Sequence, residues 1–342
     1  MTELKGNSSQ PAGWDVITLG ETMLRLTPPG HKRLVQATNL EIEVGGSESN
    51  TAVGLACLGL RVAWLSRLTD NSLGRLIERT LSSYGVDTSQ VKWTDRDRVG
   101  LYFLEEGKAP RGSSVVYDRA NSALSRMQPS ELPEEIFQPG KAKLLHLTGI
   151  TPALGPEAAA TAWKALELAK AAGWKISFDL NYRAKLWNPA QAHEGCRRFA
   201  AQSDLLIAPL GDARLIFGLD QTRTPQEVLD YLAREFPQAS VVLTLGKAGA
   251  MGREPGGTTI SQPVFEAEEV GRLGGGDAFA AGLIYGYLLS ESRPGWLSPA
   301  LRWGAAVAAL KYTIPGDMPV IERSEAEALV AQEGNSASIL KR

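Results

Sequence analysis

One alternation runs almost the whole length of this 342-residue chain and limits the folds open to it. Short β-branched runs at 15–19, 62–65, 144–147, 175–179, 205–208 and 241–245 are separated by segments of helical period. The segment 72–83 carries Leu73, Leu76, Ile77 and Leu81 at helical spacing, with Gly85 placed to end it. An alanine-rich helix over 156–172 stops in the same way at Gly173. Such alternation predicts βαβ units, and therefore a largely parallel sheet covered by helices. Two stretches, 25–44 and 99–119, break the rhythm and read as strands and turns. The runs 100–104 and 114–119 flank a turn-rich segment at 106–112, as a hairpin does. An antiparallel flap inserted into an α/β domain accounts for both, and flaps of this kind cover substrates and exclude water.

Composition then narrows the function. Lysine and arginine total 36 against 38 acids, a net charge of -2, which leaves no basic excess for a nucleic-acid surface. The apolar runs are too short for a membrane span. The first thirteen residues are polar and unlike a secretory signal. Cys57 and Cys196 stand far apart in apolar helical stretches and read as buried free thiols, which fits a cytoplasmic protein. His31, His146 and His193 lack metal-ligand spacing, and His146 reads as a core strand residue. Glycine is in surplus: 35 residues, about a tenth of the chain, where roughly 7% is usual.

Those glycines gather where chemistry is expected. Gly274, Gly275 and Gly276 lead into a helical segment, and N–H groups at a helix start favour negative charge. Asp277 follows at once, suited to taking a proton from a nucleophilic hydroxyl; the plainer reading is a helix N-cap. Gly45 and Gly46 precede Ser49 and Asn50, where Asn50 and bare backbone suit a hydroxylated ligand; the plainer reading is a turn capped by Ser49 or Asn50. Thr244, Gly246 and Gly249 fall at the carboxyl end of a strand, where α/β sheets bind ligands.

Taken together, these three ordered elements make residues from about Trp14 to Arg323 resemble the ribokinase-like, or PfkB, family of carbohydrate kinases. Within it the chain looks most like 2-keto-3-deoxygluconate kinases, on the segments 20–26, 117–120, 178–187 and 310–317. The resemblance implies a ribokinase-like three-layer αβα sandwich over 14–330, with a mainly parallel sheet. Lid segments are expected at about 25–44 and 99–119, and flexible tails at 1–13 and 331–342. It implies ATP- and Mg²⁺-dependent phosphorylation of a sugar hydroxyl, giving 2-keto-3-deoxy-6-phosphogluconate. Asp277 would be the base and Gly274, Gly275 and Gly276 the anion hole. Gly45, Gly46, Asn50, Tyr102, Tyr117 and Arg119 would line the sugar pocket, with Arg183 near substrate or phosphates and Asp317 near the sugar. Thr244, Gly246 and Gly249 would serve the nucleotide. Read as residues alone, Arg119 and Arg183 are candidates to hold a sugar-acid carboxylate, and equally ordinary surface arginines.

Two departures from the family pattern stand out. Gly271 occupies the position of an acid that usually precedes the glycine turn. Where an asparagine and a glutamate linked to Mg²⁺ are usual, this chain has Pro209 and Asp212, so Asp212 is the metal candidate. The other readings are a kinase for another sugar such as fructose, and a sugar-binding regulator without turnover. Related kinases pair through such flaps, so a homo-oligomer is expected.

Overall fold

The structure, a computed structural model, describes residues 13–290 and 293–332. The tails expected at 1–13 and 331–342 lie almost wholly outside these residues. The strands are β1 (Val16–Leu19), β2 (Met23–Thr27), β3 (Glu41–Gly45), β4 (Val62–Leu65), β5 (Arg67–Thr69), β6 (Lys92–Thr94) and β7 (Leu101–Glu105). They continue with β8 (Ser114–Asp118), β9 (Leu144–Thr148), β10 (Lys175–Asp179), β11 (Leu205–Pro209), β12 (Ser240–Thr244), β13 (Ala250–Arg253) and β14 (Ile260–Gln262). The helices are α1 (Ser47–Cys57), α2 (Ser72–Ser83), α3 (Ile150–Ala153), α4 (Pro156–Ala171) and α5 (Pro189–Ala200). After these come α6 (Leu210–Ile216), α7 (Pro225–Glu235), α8 (Gly275–Leu289), α9 (Leu297–Tyr312) and α10 (Arg323–Val330).

Eight strands form the central sheet, in the order β14-β13-β12-β11-β10-β9-β1-β4. From β4 to β12 every pairing is parallel, and β13 and β14 close one edge antiparallel. The strands are apolar on both faces because both are covered. Ile17, Leu19, Ala63 and Leu65 point into a core shared with α4, α5 and α7, whereas Val16, Val62 and Trp64 point into a second core shared with α1, α8 and α9. This is a three-layer sandwich. Of the apolar face read over 72–83, Ile77 and Leu81 are buried but Leu73 is 42% exposed, since it stands on the first turn at the helix margin.

Helices α8 and α9 lie unusually close. A Cβ at Gly282 would come within 2.4 Å of the Trp303 carbonyl oxygen, and one at Gly286 within 2.5 Å of Ala300 Cα. This packing fixes the direction of α8, and so the point where its N-terminus opens.

The two stretches without helical rhythm form a separate four-stranded sheet, ordered β3-β2-β7-β8. Its hairpin is the one expected, β7 against β8, with Tyr102 opposite Tyr117. The sheet is not wholly antiparallel, because β2 and β7 pair in parallel. Register sorts its side chains into two rows. Glu43, Arg25, Tyr102 and Tyr117 are neighbours across the four strands, and so are Ile42, Leu26, Phe103 and Val116. The first row turns toward the main domain, with Arg25 and Tyr102 buried; in the second, Ile42 and Val116 are each 54% exposed.

Candidate active site

The site lies at the carboxyl ends of the parallel strands, where α1 and α8 begin beneath the small sheet. Helix α8 starts at Gly275, and its N-cap is Gly274 in the left-handed conformation, φ 72°. A Cβ on Gly274 would lie 1.8 Å from the Asp317 carbonyl oxygen, so glycine is required there for conformation and for space. Asp277 is therefore not an N-cap. It occupies the first turn of α8 and is buried. Nor do Ser49 and Asn50 cap α1, which begins at Ser47 after Gly46.

Asp277 is held from several sides. Ser47 Oγ donates to its Oδ1 at 2.6 Å and Asn50 Nδ2 donates to its Oδ2 at 2.7 Å. Asn181 Nδ2 in turn donates to Ser47 Oγ at 2.7 Å. Asn181 has φ 36°, uncommon for a side-chain-bearing residue, and its N–H donates to Asp179 Oδ1 at 3.1 Å. Burial pushes the Asp277 carboxyl above its ordinary value, while the Ser47 and Asn50 hydrogen bonds and the Arg183 charge pull it back. A fixed, desolvated carboxyl of this kind is suited to general-base work.

A cavity of about 120 Å³ opens on one side of Asp277. Gly45, Gly46, Asn50, Tyr102, Tyr117, Arg119, Arg183, Gly274 and Asp317 all line it. Arg119 is buried and paired with Glu21. Its Nε and Glu21 Oε1 make no hydrogen bond within the protein, so the pair keeps capacity for a polar guest. Tyr102 OH donates to Asp317 Oδ1 at 2.8 Å, and Arg25 Nε lies 3.0 Å from Asp317 Oδ2. A cavity of about 240 Å³ on the other side is lined by Thr244, Gly246, Gly249, Gly275 and Gly276 together with Phe265, Phe279, Ala305 and Tyr312. The 274–276 turn stands between the two. Gly276 is exposed, and a Cβ there would meet nothing within 4 Å.

Asp212 sits on the first turn of α6, half-buried, and its Oδ2 accepts from the Tyr182 N–H at 2.9 Å. Burial raises its carboxyl. Asp179, buried near both Asp277 and Asp212, is raised well above the ordinary range, first by burial and then by those two charges. Among the described residues no group of three His, Cys, Asp or Glu side chains is arranged to hold a metal ion. Mg²⁺ in phosphoryl transfer is held by substrate phosphates, water and one or two carboxylates, so a single half-buried aspartate fits such an ion. His146 is a core residue, its Nδ1 3.1 Å from Ser177 Oγ, and burial drives its pKa down to about 3. Cys196 is buried, whereas Cys57 is only half-buried.

Several site residues escaped the sequence reading: Ser47, Asn181, Glu21, Arg25 and Glu48. Glu48 is fully buried behind Asp277, with Thr151 and Thr148 donating to its Oε1 at 2.7 and 2.8 Å. Burial raises its pKa to about 7. One signal was available, since α1 opens with Ser47-Glu48-Ser49-Asn50-Thr51, five polar residues before the apolar remainder of the helix.

A three-layer αβα domain, with a buried carboxyl beside a glycine-led helix N-terminus and a cavity on each side, is the arrangement of a phosphotransferase of the ribokinase-like kind. Comparison with known proteins agrees. The family model described as "pfkB family carbohydrate kinase" matches residues 15–323. A 2-dehydro-3-deoxygalactonokinase of Haloferax volcanii is 39% identical over 325 residues, covering 95% of this chain and 98% of that protein. A 2-dehydro-3-deoxygluconokinase of Bacillus subtilis is 34% identical, covering 89% and 91%. The crystal structure of a 2-dehydro-3-deoxygluconokinase from Thermotoga maritima superposes with a TM-score of 0.84 at 34% identity, covering 94% and 99%. The chain belongs to the pfkB family of carbohydrate kinases.

Proposed function

We propose that this kinase transfers the γ-phosphoryl group of ATP to the terminal hydroxyl of a 2-keto-3-deoxy sugar acid, with 2-keto-3-deoxygluconate as the first choice. The observation that carries this reading is Asp277, fixed by Ser47 and Asn50 between a cavity walled by Arg119 and Arg183 and a cavity walled by glycine, alanine and aromatic side chains. Asp277 takes the proton of the sugar hydroxyl as its oxygen attacks the γ-phosphorus, and ADP leaves. The first-turn N–H groups of α8 face the charge that builds on the transferred group, since helix starts carry N–H groups without internal partners. Arg119 and Arg183 hold the sugar-acid carboxylate, and Asp317 accepts from the sugar's hydroxyls. The small sheet acts as the lid. Asp212 would hold Mg²⁺, which when bound neutralises charge between phosphate oxygens.

The name of the Haloferax relative favours a second reading, in which the 4-epimer 2-keto-3-deoxygalactonate is the better substrate. A coupled ADP-release assay with both acids and fructose tests both. Turnover of either acid with kcat/KM well above that on fructose is expected; preference for fructose would sink the sugar-acid reading. We also propose a homo-oligomer joined through the lid's outward row, because Ile42 and Val116 leave an apolar band in solvent. Val116→Asp should lower the mass measured by sedimentation to that of one chain. Two free cysteines are consistent with a cytoplasmic enzyme.

A further inference from the structure

We propose that Arg25 is a positioning residue for sugar selection: reaching from lid strand β2, it keeps the Asp317 carboxylate charged and aimed into the sugar cavity as a pure hydrogen-bond acceptor. This rests on the reading of that cavity as the sugar site.

Arg25 is only 3% exposed, a buried cation between Leu24 and Leu26. Its guanidinium has two partners. Nη2 pairs with Glu43 on β3, whose side chain is 37% exposed, and Nε lies 3.0 Å from Asp317 Oδ2, a pairing of charge rather than an aligned hydrogen bond. Tyr102 on β7 donates to the other Asp317 oxygen at 2.8 Å, and burial holds its hydroxyl firmly protonated. Two lid strands thus grip an acid that belongs to the loop after α9. Space for the grip comes from Gly45, where a Cβ would meet Tyr102 OH at 2.7 Å and Asp317 Cγ at 2.9 Å.

Stability alone is a poor reason for this arrangement. Replacing a buried ion pair with apolar side chains is often neutral or stabilising. What the pair does is oppose protonation of a buried acid. Burial pushes the Asp317 carboxyl up, and Arg25 and the Tyr102 hydrogen bond oppose that rise. The other charges acting on it are Glu43 on β3 and Asp277 on α8, which favour protonation, and the Lys311 ammonium on α9, which opposes it. Lys311 is itself buried and donates to the Ile314 carbonyl at 2.9 Å. Tyr117 on β8 faces Tyr102 with its ring tilted, the centroids 5.9 Å apart. Without Arg25, two carboxylates face Asp317 against one committed ammonium. Asp317 then takes up a proton at neutral pH and offers the sugar a donor where an acceptor is needed.

The test uses the full chain with Arg25→Met and Arg25→Lys. In the coupled assay with 2-keto-3-deoxygluconate and its 4-epimer, Arg25→Met should raise the sugar KM roughly tenfold to a hundredfold while kcat stays within about threefold. The ATP KM should not move. Raising the pH should bring the sugar KM back down as Asp317 ionises, and Arg25→Lys should retain most of the wild-type value. Infrared spectroscopy reads the same change without any sugar. Arg25→Met should gain a protonated-carboxyl C=O band at neutral pH that the Arg25→Met/Asp317→Asn double variant lacks. An unchanged sugar KM with a flat pH profile and no new band would overturn the inference, even if Arg25→Met melts earlier. Should Arg25→Met not fold, wild type against Asp317→Asn decides: a protonated-carboxyl band present in wild type and lost in the variant would equally overturn it. If wild type phosphorylates neither acid, the substrate reading fails, and the infrared comparison alone judges Arg25.

Discussion

The two cavities that meet at the 274–276 glycine turn are built on opposite principles. The cavity proposed for the sugar, hereafter the sugar side, is small, about 120 Å³, and walled by Glu21, Arg119, Arg183, Asp277 and Asp317. The cavity proposed for the nucleotide, the nucleotide side, is twice as large, and among the described residues that line it none is charged. A small polyhydroxylated guest offers little apolar surface, so it is told apart by fixed donors and acceptors, each of which must be buried and paired to hold its aim. A nucleotide offers a flat base and a chain of phosphates. Shape, aromatic surface and bare backbone N–H groups suffice for it, provided the backbone can come close. On the proposed reading glycine opens both sides, but only the sugar side sets buried ion pairs beside it.

The hardest blow to this contrast is struck at their junction. Asp277→Ala should lower kcat by about 10²–10⁴-fold, the range for loss of a general base. Calorimetry should find ATP-analogue binding within about threefold of wild type, since the nucleotide side owes nothing to that charge. Loss of nucleotide binding as well would mean that the two cavities are not separable.

Behind the sugar side, Glu48 gives the next largest effect. Its carboxyl titrates near 4.5 in the unfolded chain and at about 7 when folded. Folding therefore favours the protonated form, so the contribution is complete below pH 4.5 and fades as pH rises through 7. The span corresponds to roughly 3 kcal/mol. Denaturant melts from pH 4.5 to 8 should show the difference between wild type and Glu48→Gln opening over this window in favour of the variant. Parallel curves would place the titration elsewhere.

On the nucleotide side volume should matter where charge does not. Ala305 is buried in the cavity wall beside Phe265. Ala305→Leu should raise the ATP KM about tenfold, matching an overpacking cost of 1–3 kcal/mol, and leave the sugar KM alone. A shift in both would show that α9 couples the cavities.

How much of this was legible in the sequence follows the same division. The parallel strands were readable because both their faces are buried, which makes runs such as Val62–Leu65 apolar throughout. The antiparallel strands Ala250–Arg253 and Ile260–Gln262 were not, being short and mixed, with Ile260–Gln262 at the sheet edge paired only to Ala250–Arg253. The glycine loops of the nucleotide side showed themselves by composition alone. On the sugar side Gly45, Gly46 and Asn50 were marked in the same way, but Ser47 and the Arg119–Glu21 pair were not, because those parts acquire meaning only through contact. Ser47 and Asp277 are 230 residues apart, Arg119 and Glu21 are 98 apart, and nothing local marks either pair. The N-cap readings of Asp277 and Asn50 failed for a related reason: glycines Gly274 and Gly46 took the caps, which freed both polar side chains to face each other.

The smallest predicted effect is the one that sharpens the contrast most. Charges do stand near the nucleotide side, but at its mouth: Lys247 is exposed, and Arg272 and Glu269 form a pair whose side chains are 62% and 46% exposed. Exposed pairs of this kind contribute about 0–1 kcal/mol and are screened by salt, unlike the buried Arg119–Glu21 pair. Arg272→Ala should therefore change the ATP KM by less than about fivefold at low ionic strength, and not measurably at high salt, where screening reaches about 3 Å at 1 M. Long-range attraction of the triphosphate would then be all that the mouth supplies. A loss of tenfold or more that survives high salt would give Arg272 a direct, desolvated contact, and the nucleotide side would have to be counted among sites that read charge.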